Sequence, residues 1–425
     1  MTAGDLDTTF GTSGTTTVNF GRTSIANALA IQSNDKLVLA GRVGDASTGD
    51  WGIARLKKDG ALDPSFGSSG LVTIPFTAQE DVARAVAIDS SGNIVVGGFV
   101  GSEPAGAIAF ARLTSSGALD TTFNPTGSVP GTVTYRIDPT LGNAVRALVI
   151  DSSGKILGAG IGGANPGLIR LNSNGSLDTT FAGGAGKEAV AIGASGHLFA
   201  LALLSSGKFL VAGFDATGTT TQDDFLLAQF TSTGSLDTTF GTGSGGGFTD
   251  TDFNSLNDLA FAIGLQSTGK IVIGGDTDST DAFGLGGDVK AGWARYTTSG
   301  ALDTTFGTSG KTQINPTSLA DGVRGIVIDS SDRIVTAGFI GEASAISSFL
   351  DPVAGSFGVY RLTSSGAPDT SFGAAGGGWV RTTFANGGDG GRAVGLQSSG
   401  NIVVVGGATT GTPAQLNFAA ARYLS

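Results

Sequence analysis

The stretch GALDTTFGTSG, residues 300–310, decides the fold because it recurs along the chain. Near-copies such as DLDTTFGTSG, ALDPSFGSSG and SLDTTF bring the total to seven. The aspartate of the phrase stands at Asp7, Asp63, Asp120, Asp178, Asp237, Asp303 and Asp369. The spacings between these aspartates are 56, 57, 58, 59, 66 and 66 residues. A regular period of this size predicts an array of similar units rather than two or three unrelated domains.

Each unit contains four short β-like runs. In the third unit they are GTVTY (131–135), VRALVID (145–151), KILGAGI (155–161) and GLIRL (167–171). Gly, Ser, Asn or Asp residues bound each run, which is typical of strands joined by turns. Because no segment keeps a 3.6-residue period, helix should be scarce. We name the last three runs A, B and C, and the run after the phrase D.

The two ends of the chain distinguish a propeller from an open solenoid. The chain begins with the phrase and a D run (15–20), and it ends after A, B and C runs, the last at 418–424. Joining Leu424 to Asp5 therefore restores one repeat. This pattern predicts an all-β fold: a single seven-bladed β-propeller over residues 1–425 with four antiparallel strands per blade. The ring is expected to close by pairing of the N-terminal strand with the C-terminal blade, which removes free edges.

The recurring segments also resemble a known family. The LDTTFG phrase, the IDSSGKI hairpin and the ARLTSSG run are similar to the delta-60 repeat, a bacterial β-propeller repeat of uncharacterised function. The resemblance covers essentially the whole chain, since seven copies recur. It implies a propeller and export to the cell surface or beyond. It implies no reaction and no catalytic residues.

Composition limits the class of partner. Charged residues make up 14% of the chain and the net charge is −11. This balance argues against a nucleic-acid partner, which would favour a basic surface. No apolar run is long enough to span a membrane. The start, MTAGDLDTTF, has no signal-peptide pattern. We expect a secreted or cell-surface monomer whose signal peptide was trimmed; a cytoplasmic protein is the alternative.

The connections between runs fall into two groups. The last aliphatic residue of run A precedes the glycine of run B by 10 residues in all seven units, and the Arg or Gln of run C precedes the phrase aspartate by 8 in six. The separation from the B-run glycine to that Arg or Gln instead varies from 10 to 23 residues. One end of each blade should therefore be uniform, and the other should carry variable loops. Variable loops on a rigid scaffold are the usual arrangement for recognition.

The phrase itself is expected to be structural. Its aspartate can close an Asx-turn and pair with the run-C arginine across the C–D turn. We expect this to be a surface pair worth about 0–1 kcal/mol. We expect Leu and Phe of the phrase to plug between blades, and burial of Phe should contribute more than the ion pair, about 1.5–3 kcal/mol. A sevenfold ligand or calcium array is the alternative interpretation.

No arrangement of nucleophile and base is evident in the sequence. The chain has no Cys and one histidine, His197, so zinc and haem ligation are improbable. We therefore predict a non-enzymatic binding module that recognises a glycan, a peptide or a surface protein through its variable loops. The alternatives are a structural spacer in a surface assembly and, less favoured, a hydrolase or lyase at the channel mouth.

One residue near the start of each A run is the first candidate for ligand contact. These residues are expected to surround the mouth of the central channel, where four arginines and two aromatic rings suit an acidic sugar or a peptide carboxylate. The alternative is that each arginine pairs with an aspartate or a carbonyl between blades. The set is Asn27, Arg84, Arg146, Phe199, Phe261, Arg324 and Arg392.

Two acidic loops of the fifth unit are the candidate metal site. Calcium takes six to eight oxygen ligands from flexible loops. The sequence DTDFNSLND and the stretch from 276 onward supply such oxygens, without an EF-hand pattern. We predict weak binding of one Ca²⁺ and no other cofactor; a solvated acidic loop is the alternative. The predicted ligands are Asp250, Asp252, Asp276, Asp278 and Asp281.

Overall fold

Seven four-stranded antiparallel sheets make up the fold. The computed structural model describes residues 2–45, 47–101, 106–193, 196–216, 222–243, 245–280, 287–342, 355–373, 376–384, 388–412 and 414–425. Within these ranges lie 28 strands and a 3₁₀ turn at Ala182–Gly184. The prediction of an all-β, seven-bladed β-propeller with four strands per blade is confirmed.

The first three blades each take four consecutive strands in the order A, B, C, D. Blade 1 consists of β2 (Ser24–Ile31), β3 (Leu37–Val43), β4 (Asp50–Leu56) and β5 (Leu71–Ile74). Blade 2 consists of β6 (Asp81–Ile88), β7 (Ile94–Val100), β8 (Ala107–Leu113) and β9 (Thr132–Tyr135). Blade 3 consists of β10 (Asn143–Ile150), β11 (Ile156–Gly162), β12 (Asn165–Leu171) and β13 (Lys187–Ala189).

The next three blades follow the same order. Blade 4 consists of β14 (Gly196–Leu203), β15 (Phe209–Ala216), β16 (Asp223–Phe230) and β17 (Phe248–Thr251). Blade 5 consists of β18 (Asn257–Leu265), β19 (Ile271–Ser279), β20 (Lys290–Tyr296) and β21 (Lys311–Ile314). Blade 6 consists of β22 (Ala320–Ile328), β23 (Ile334–Glu342), β24 (Ser356–Leu362) and β25 (Trp379–Thr382).

Blade 7 joins the two ends of the sequence. Its A, B and C strands are β26 (Gly390–Leu396), β27 (Ile402–Thr410) and β28 (Gln415–Tyr423), and its D strand is β1 (Thr15–Val18). The register pairs Thr15 with Ala421 and Val18 with Phe418. The predicted pairing of the N-terminal strand with the C-terminal blade is confirmed.

The chain forms two compact units. Unit 1 comprises Met1–Asn19, Ala212–Ala228 and Thr238–Ser425, and unit 2 comprises Phe20–Val211 and Gln229–Asp237. In unit 2, buried side chains of blades 1 and 2, including Trp51 and Phe66, form one core cluster. In unit 1, buried side chains of blades 5 and 6, including Trp293, Phe306 and Tyr360, form another. The prediction of a single domain over residues 1–425 stays a prediction.

The repeated phrase forms a buried cluster, which we call the staple: the run-C arginine with the aspartate and phenylalanine of the phrase. In blade 1 the Arg55 Nε donates to Asp63 Oδ2 over 2.8 Å. Asp63 Oδ1 accepts the backbone N–H and the hydroxyl of Ser65 at 3.1 and 2.7 Å, closing the predicted Asx-turn. The guanidinium also lies 4.6 Å from the centroid of the Phe66 ring.

The Arg–Asp pair differs from the sequence expectation in its burial. We expected a surface pair, whereas the side chains of Arg55 and Asp63 are both buried. Burial alone would raise the pKa of the Asp63 carboxyl, but the hydrogen bonds from Lys36 and Ser65 and the Arg55 charge outweigh it and lower that pKa below its ordinary value. The aspartate is therefore held ionised by its neighbours.

The staple of blade 1 also binds blade 1 to blade 2. Phe66 is fully buried, and a Cβ on Gly117 of the following blade would lie 2.9 Å from its ring. The backbone N–H of Gly67 donates to Ser116 O over 2.8 Å, and Arg55 Nη1 donates to Ser115 O. The leucine of the phrase does not share this role, since Leu62 is 36% exposed. The phenylalanine plugs the junction, as predicted, and the leucine covers its own blade.

The same arrangement recurs in the other blades. Each staple arginine pairs with its phrase aspartate at 2.6–2.9 Å, as Arg112–Asp120, Arg170–Asp178, Arg295–Asp303, Arg361–Asp369 and Arg422–Asp7. Blade 4 carries Gln229 in place of arginine, and Lys208 Nζ lies 2.6 Å from Asp237 Oδ2 there. The recurrence explains why one chain repeats one phrase seven times.

Candidate functional site

The candidate ligand residues sit at a break in the A-strand ladder. In the six A strands whose register is described, the pairing with strand B shifts by one residue at a β-bulge. We call the residues at these positions the bulge residues: Asn27, Arg84, Arg146, Phe261, Arg324 and Arg392. Phe199 holds the corresponding place on β14 by sequence, four residues before Leu203.

The recurring glycine of strand B makes the bulge possible. A Cβ on Gly98 would lie 2.1 Å from Val82 O, and one on Gly275 would lie 1.8 Å from Leu259 O. Only glycine allows the A-strand carbonyl to approach this closely. The sequence signal for the bulge is therefore the B-run glycine ten residues after the last A-run aliphatic. Bulges re-aim a side chain and are frequent beside functional sites.

The bulge residues of unit 2 lie against neighbouring blades. The Asn27 side-chain amide donates to Ala83 O over 3.0 Å. The guanidinium of Arg84 lies 5.9 Å from the Phe99 ring centroid, and that of Arg146 lies 4.7 Å from the Phe199 ring centroid. The structure thus brings together Arg146 and Phe199, which stand on β10 and β14. All four bulge-position residues of unit 2 are half-buried.

His197 lies beside this group and is half-buried. Burial, assisted by the positive charge of Arg146, lowers the pKa of His197 to about 4. The imidazole is therefore neutral at pH 7 and adds no positive charge to the arginine beside it.

In unit 1 the bulge arginine Arg324 has an acidic partner. Its Nη1 lies 2.6 Å from Asp276 Oδ1, and its guanidinium lies 4.0 Å from the Phe261 ring centroid and 4.8 Å from that of Phe339. Asp276 is fully buried. Burial raises its pKa, while the charges of Arg324 and Arg392 oppose that rise. Arg324 therefore pairs with an aspartate, as in our alternative interpretation of the bulge arginines.

Three carboxylates of unit 1 come close enough to share a cation. Oxygens of Asp224, Asp252 and Asp258 all lie within 4.8 Å of one another. Asp224 belongs to β16 and Asp258 to β18, while Asp252 follows β17. We call these three residues the acidic cluster. Asp224 was not among the predicted ligands, because strand pairing rather than sequence spacing places it beside Asp252.

Two members of the acidic cluster, Asp224 and Asp258, and the neighbouring Asp250 have raised pKa values. Burial raises the pKa of Asp258 and of Asp250 to about 7 and that of Asp224 to about 6. Neighbouring aspartates add to each rise, since adjacent negative charges disfavour ionisation. The Lys311 ammonium donates to Asp252 O over 2.5 Å.

The other predicted calcium ligands lie apart from the acidic cluster or have basic partners. Asp276 pairs with Arg324, and Asp278 Oδ2 lies 2.6 Å from Lys290 Nζ. Asp281 lies outside the described residues. Of the five predicted ligands, the structure places Asp252 in the cluster and Asp250 beside it. Calcium binding here stays a prediction.

Sequence reasoning missed a group that organises the loops. In five of the seven units an Asp or Asn stands three residues before the bulge position, and its side chain accepts backbone amides of the preceding loop. In blade 2, Asp81 Oδ2 accepts the N–H groups of Phe76 and Thr77 at 3.0 and 2.8 Å. The regular spacing would have revealed this group: Asp81, Asn143, Asp258, Asp321 and Asp389.

Seven four-stranded blades, each with a staple or its Gln229 variant, define a repeat β-propeller. The profile of a family described as "Domain of unknown function (DUF5122) beta-propeller" matches five segments of the chain: 32–66, 90–123, 152–181, 204–240 and 266–306. No curated protein sequence matches the chain. No helix of the described residues has the length and apolar character needed to cross a membrane.

Several solved structures are similar to this chain at low sequence identity. Sqt1 of Chaetomium thermophilum is 12% identical, with a TM-score of 0.50 over 95% of this chain and 96% of Sqt1. A polysaccharide lyase, the PL25 ulvan lyase, is 11% identical, with a TM-score of 0.48 and 95% of both chains covered. A gluconolactonase from Xanthomonas campestris is 11% identical, with a TM-score of 0.38, over 80% of this chain and 85% of that one. At these identities only the fold is shared.

Proposed function

We propose that this propeller is a non-catalytic binding module that holds an anionic partner, an acidic glycan or a peptide carboxylate, on the bulge-position residues of unit 2. One observation carries the proposal: the backbone bulge recurs in each A strand with a described register, while the side chain it presents changes between Asn, Arg and Phe. A purely structural device would be expected to keep one side chain, as the staple does. A constant backbone with a varied side chain instead suits recognition.

The chemistry of the unit 2 residues favours a carboxylate. Guanidinium groups bind carboxylates with two parallel hydrogen bonds, and this geometry gives specificity as well as affinity. Arg84 and Arg146 supply two such groups, and Phe199 beside Arg146 supplies an aromatic face for a sugar ring or a peptide. Arg324 of unit 1 is a weaker candidate because Asp276 already neutralises it.

The wider setting is part of the same proposal. The low charged fraction and the resemblance to the delta-60 repeat favour a secreted or surface protein of bacterial type, and the cytoplasm is the alternative. A structural spacer needs no ligand-facing arginines, and an enzyme needs a nucleophile or an acid–base pair among them. His197, the titratable side chain that interacts with Arg146, is neutral at pH 7.

The test begins with arrays of acidic glycans and of peptides with free carboxyl ends, and continues with calorimetry on the best ligand. Arg84→Ala combined with Arg146→Ala should weaken binding by at least about 100-fold, since two charge-assisted contacts are lost. The melting temperature should stay nearly unchanged. Arg22→Ala is the matched control, because it removes an exposed arginine of the same unit and should leave binding intact.

Two results would contradict the proposal. If no array member binds, or if the double variant binds as well as the parent, the spacer alternative gains support. If the best ligand is instead cleaved and the cleavage disappears with the arginines, the protein is an enzyme.

A further inference from the structure

A cavity of about 330 Å³ opens in unit 1 between the A–B turns of blades 6 and 7. Two arginines line it, Arg333 from the turn of blade 6 and the staple residue Arg361, together with the serines Ser398, Ser399 and Ser425. Its volume is at the lower end of the range for small-molecule sites. None of these residues belongs to the bulge positions or to the acidic cluster.

Arg361 lacks one hydrogen bond that four of the other five staple arginines make. In blades 1, 2, 3 and 5, Nη1 of the arginine donates to a carbonyl in the C–D turn of the next blade, namely Ser115, Ser173, Ser232 and Ser364. Arg361 keeps the other contacts: Nε to Asp369 at 2.7 Å, Nη2 to Ser371 at 3.1 Å, and the Phe372 ring. Its side chain is only 1% exposed, and within the described part of the chain the buried Nη1 has no hydrogen-bond partner.

The missing acceptor has a structural cause. The acceptor carbonyl in the other blades lies three residues after the staple arginine of the next blade, and in blade 7 this position is Ser425. The C–D turn of blade 7 is formed by two separate segments of chain, which meet where Gly4 N donates to Leu424 O and Leu424 N donates to Asp5 O. The backbone there does not bring a carbonyl to Arg361, and Ser425 is exposed.

A buried charged donor without an acceptor is costly. Leaving such a donor unsatisfied destabilises the folded state, and the penalty is larger when the group carries charge. A ligand that brings an oxygen to Nη1 recovers this free energy. The other cavity arginine, Arg333, is held at Nε by Asp329 over 2.6 Å and is 31% exposed. Its Nη1 is 3.9 Å from Asp369, so its terminal nitrogens can still donate to a ligand.

We propose that this cavity is a binding site for a carboxylate, held between Arg361 Nη1 and the guanidinium of Arg333. A carboxylate oxygen replaces the turn carbonyl of the other blades. Because Asp369 pairs with Arg361 and Asp329 pairs with Arg333, the gain comes from the new hydrogen bonds rather than from an unpaired positive charge. The hydroxyls of Ser398 and Ser399 line the cavity and offer further donors. The carboxylate can come from a small free acid or from the C-terminus of a peptide. This site is independent of the bulge residues and of the proposed function.

The cavity between blades 3 and 4 is the matched control. It measures about 460 Å³ and is lined by the staple residue Arg170, whose Nη1 already donates to Ser232 O. Lys155 stands at the position of Arg333 in blade 3 and pairs with Asp178 at 2.9 Å. The blade 3 site has the same staple without the unsatisfied donor, so a carboxylate gains nothing there.

The experiment titrates the whole protein, in a chloride buffer, with acetate, with the acetylated dipeptide Ser-Ser, and with the amide of that dipeptide. NMR of the arginine side chains follows Arg361. At least one carboxylate should shift the Arg361 signals and bind about tenfold more tightly than the amide, as expected for one charge-assisted contact. Arg333→Gln should weaken that binding about tenfold, and Lys155→Gln should leave it unchanged.

Arg361→Lys keeps the positive charge but loses the planar guanidinium. If this variant folds, it should no longer bind the carboxylate. If it does not fold, Arg333→Gln still tests the proposal. Equal binding of acetate and the dipeptide assigns the site to small free acids, and binding of the dipeptide alone assigns it to peptide ends. The proposal is wrong if neither carboxylate moves the Arg361 signals, if the amide binds as tightly as the acid, or if Lys155→Gln and Arg333→Gln have equal effects.

Discussion

The two ends of each blade repeat in different ways. At the turn end, the staple repeats in its side chains, so that Arg55–Asp63–Phe66 of blade 1 has the same contacts as Arg295–Asp303–Phe306 of blade 5. At the bulge position near the loop end, the backbone repeats and the side chain does not. The bulge is constant, but it presents Asn27 in one blade and Arg324 in another.

The difference separates fold from recognition. A side chain that recurs in every repeat serves a need that every repeat has, which is adhesion to the next blade. A side chain that varies on a constant backbone serves a need that belongs to particular blades. The staple is therefore assigned to stability, while ligand contact at the bulge positions is our proposal, and substitutions can test each.

The largest expected effect is at the staple. Phe306→Ala removes a fully buried ring that packs against Gly366 of the next blade, and it leaves a cavity. The free energy of unfolding should fall by about 3–5 kcal/mol, as for other buried phenylalanines. Leu302→Ala is the control from the same phrase, and since Leu302 is half-exposed its loss should be clearly smaller. Denaturant unfolding measures both.

A different result would change the comparison. If Leu302→Ala and Phe306→Ala cost the same, the phrase holds the fold through its own turn rather than through the junction between blades. The assignment of the staple to adhesion would then be wrong.

The features that rest on repeated side chains were predictable from the sequence. The seven phrases, their spacing and the complementary ends of the chain were enough for the blade number, the strand order and the pairing of β1 with β28. The Asx-turn and the Arg–Asp pair were also predictable, because both partners lie within ten residues of each other. The burial of the pair was not, because it depends on the next blade, which covers the Phe66 ring and accepts a hydrogen bond from Arg55.

The contacts at the loop end were less predictable. The bulge depends on the approach of a carbonyl to Gly275 or its equivalents, which a strand pattern does not show. Asp276 was expected to bind calcium because it stands among other aspartates in sequence. In the structure Asp276 instead accepts a hydrogen bond from Arg324, which is 48 residues away in the chain. Asp224 joins the acidic cluster for the same reason: proximity there comes from packing, not from spacing.

The next effect separates the two kinds of bulge arginine. Arg324→Ala leaves the fully buried Asp276 without its cation, and removal of one partner from a buried pair costs about 3 kcal/mol. Arg146→Ala removes a half-buried stack on Phe199 and should cost only about 1 kcal/mol or less. Thermal and denaturant unfolding would show the split. Equal losses at both positions would mean that Arg146 is as structural as Arg324, and the proposed ligand site would lose its main residue.

The smallest expected effect is on the pH dependence of stability, which should differ between the staple aspartates and the aspartates of the loop end. The staple aspartates have lowered pKa values, so their contribution to stability is present above the ordinary value of 3.8 and is lost as the pH falls below it. The acidic cluster works in the opposite sense. Asp258 keeps its proton up to about pH 7 in the folded state and loses it near 3.8 when unfolded. The folded state therefore binds more protons, and stability should fall as the pH rises from about 4 to about 7.

Asp250→Asn should make this fall shallower, because it removes one of the raised carboxyls; Asp59→Asn, at an exposed site, should not. Melting temperatures across the pH range measure the slope.

Calcium extends the same test. A cation shared by Asp224, Asp252 and Asp258 would let them ionise without repulsion and would stabilise only the folded state. Millimolar calcium should then flatten the slope near pH 7 in the parent and release heat on titration. If calcium changes neither the dependence of the melting temperature on pH nor the heat of titration, the solvated acidic loop is the correct interpretation. If Asp250→Asn does not alter the dependence of the melting temperature on pH, Asp250 is not one of the carboxyls that cause it.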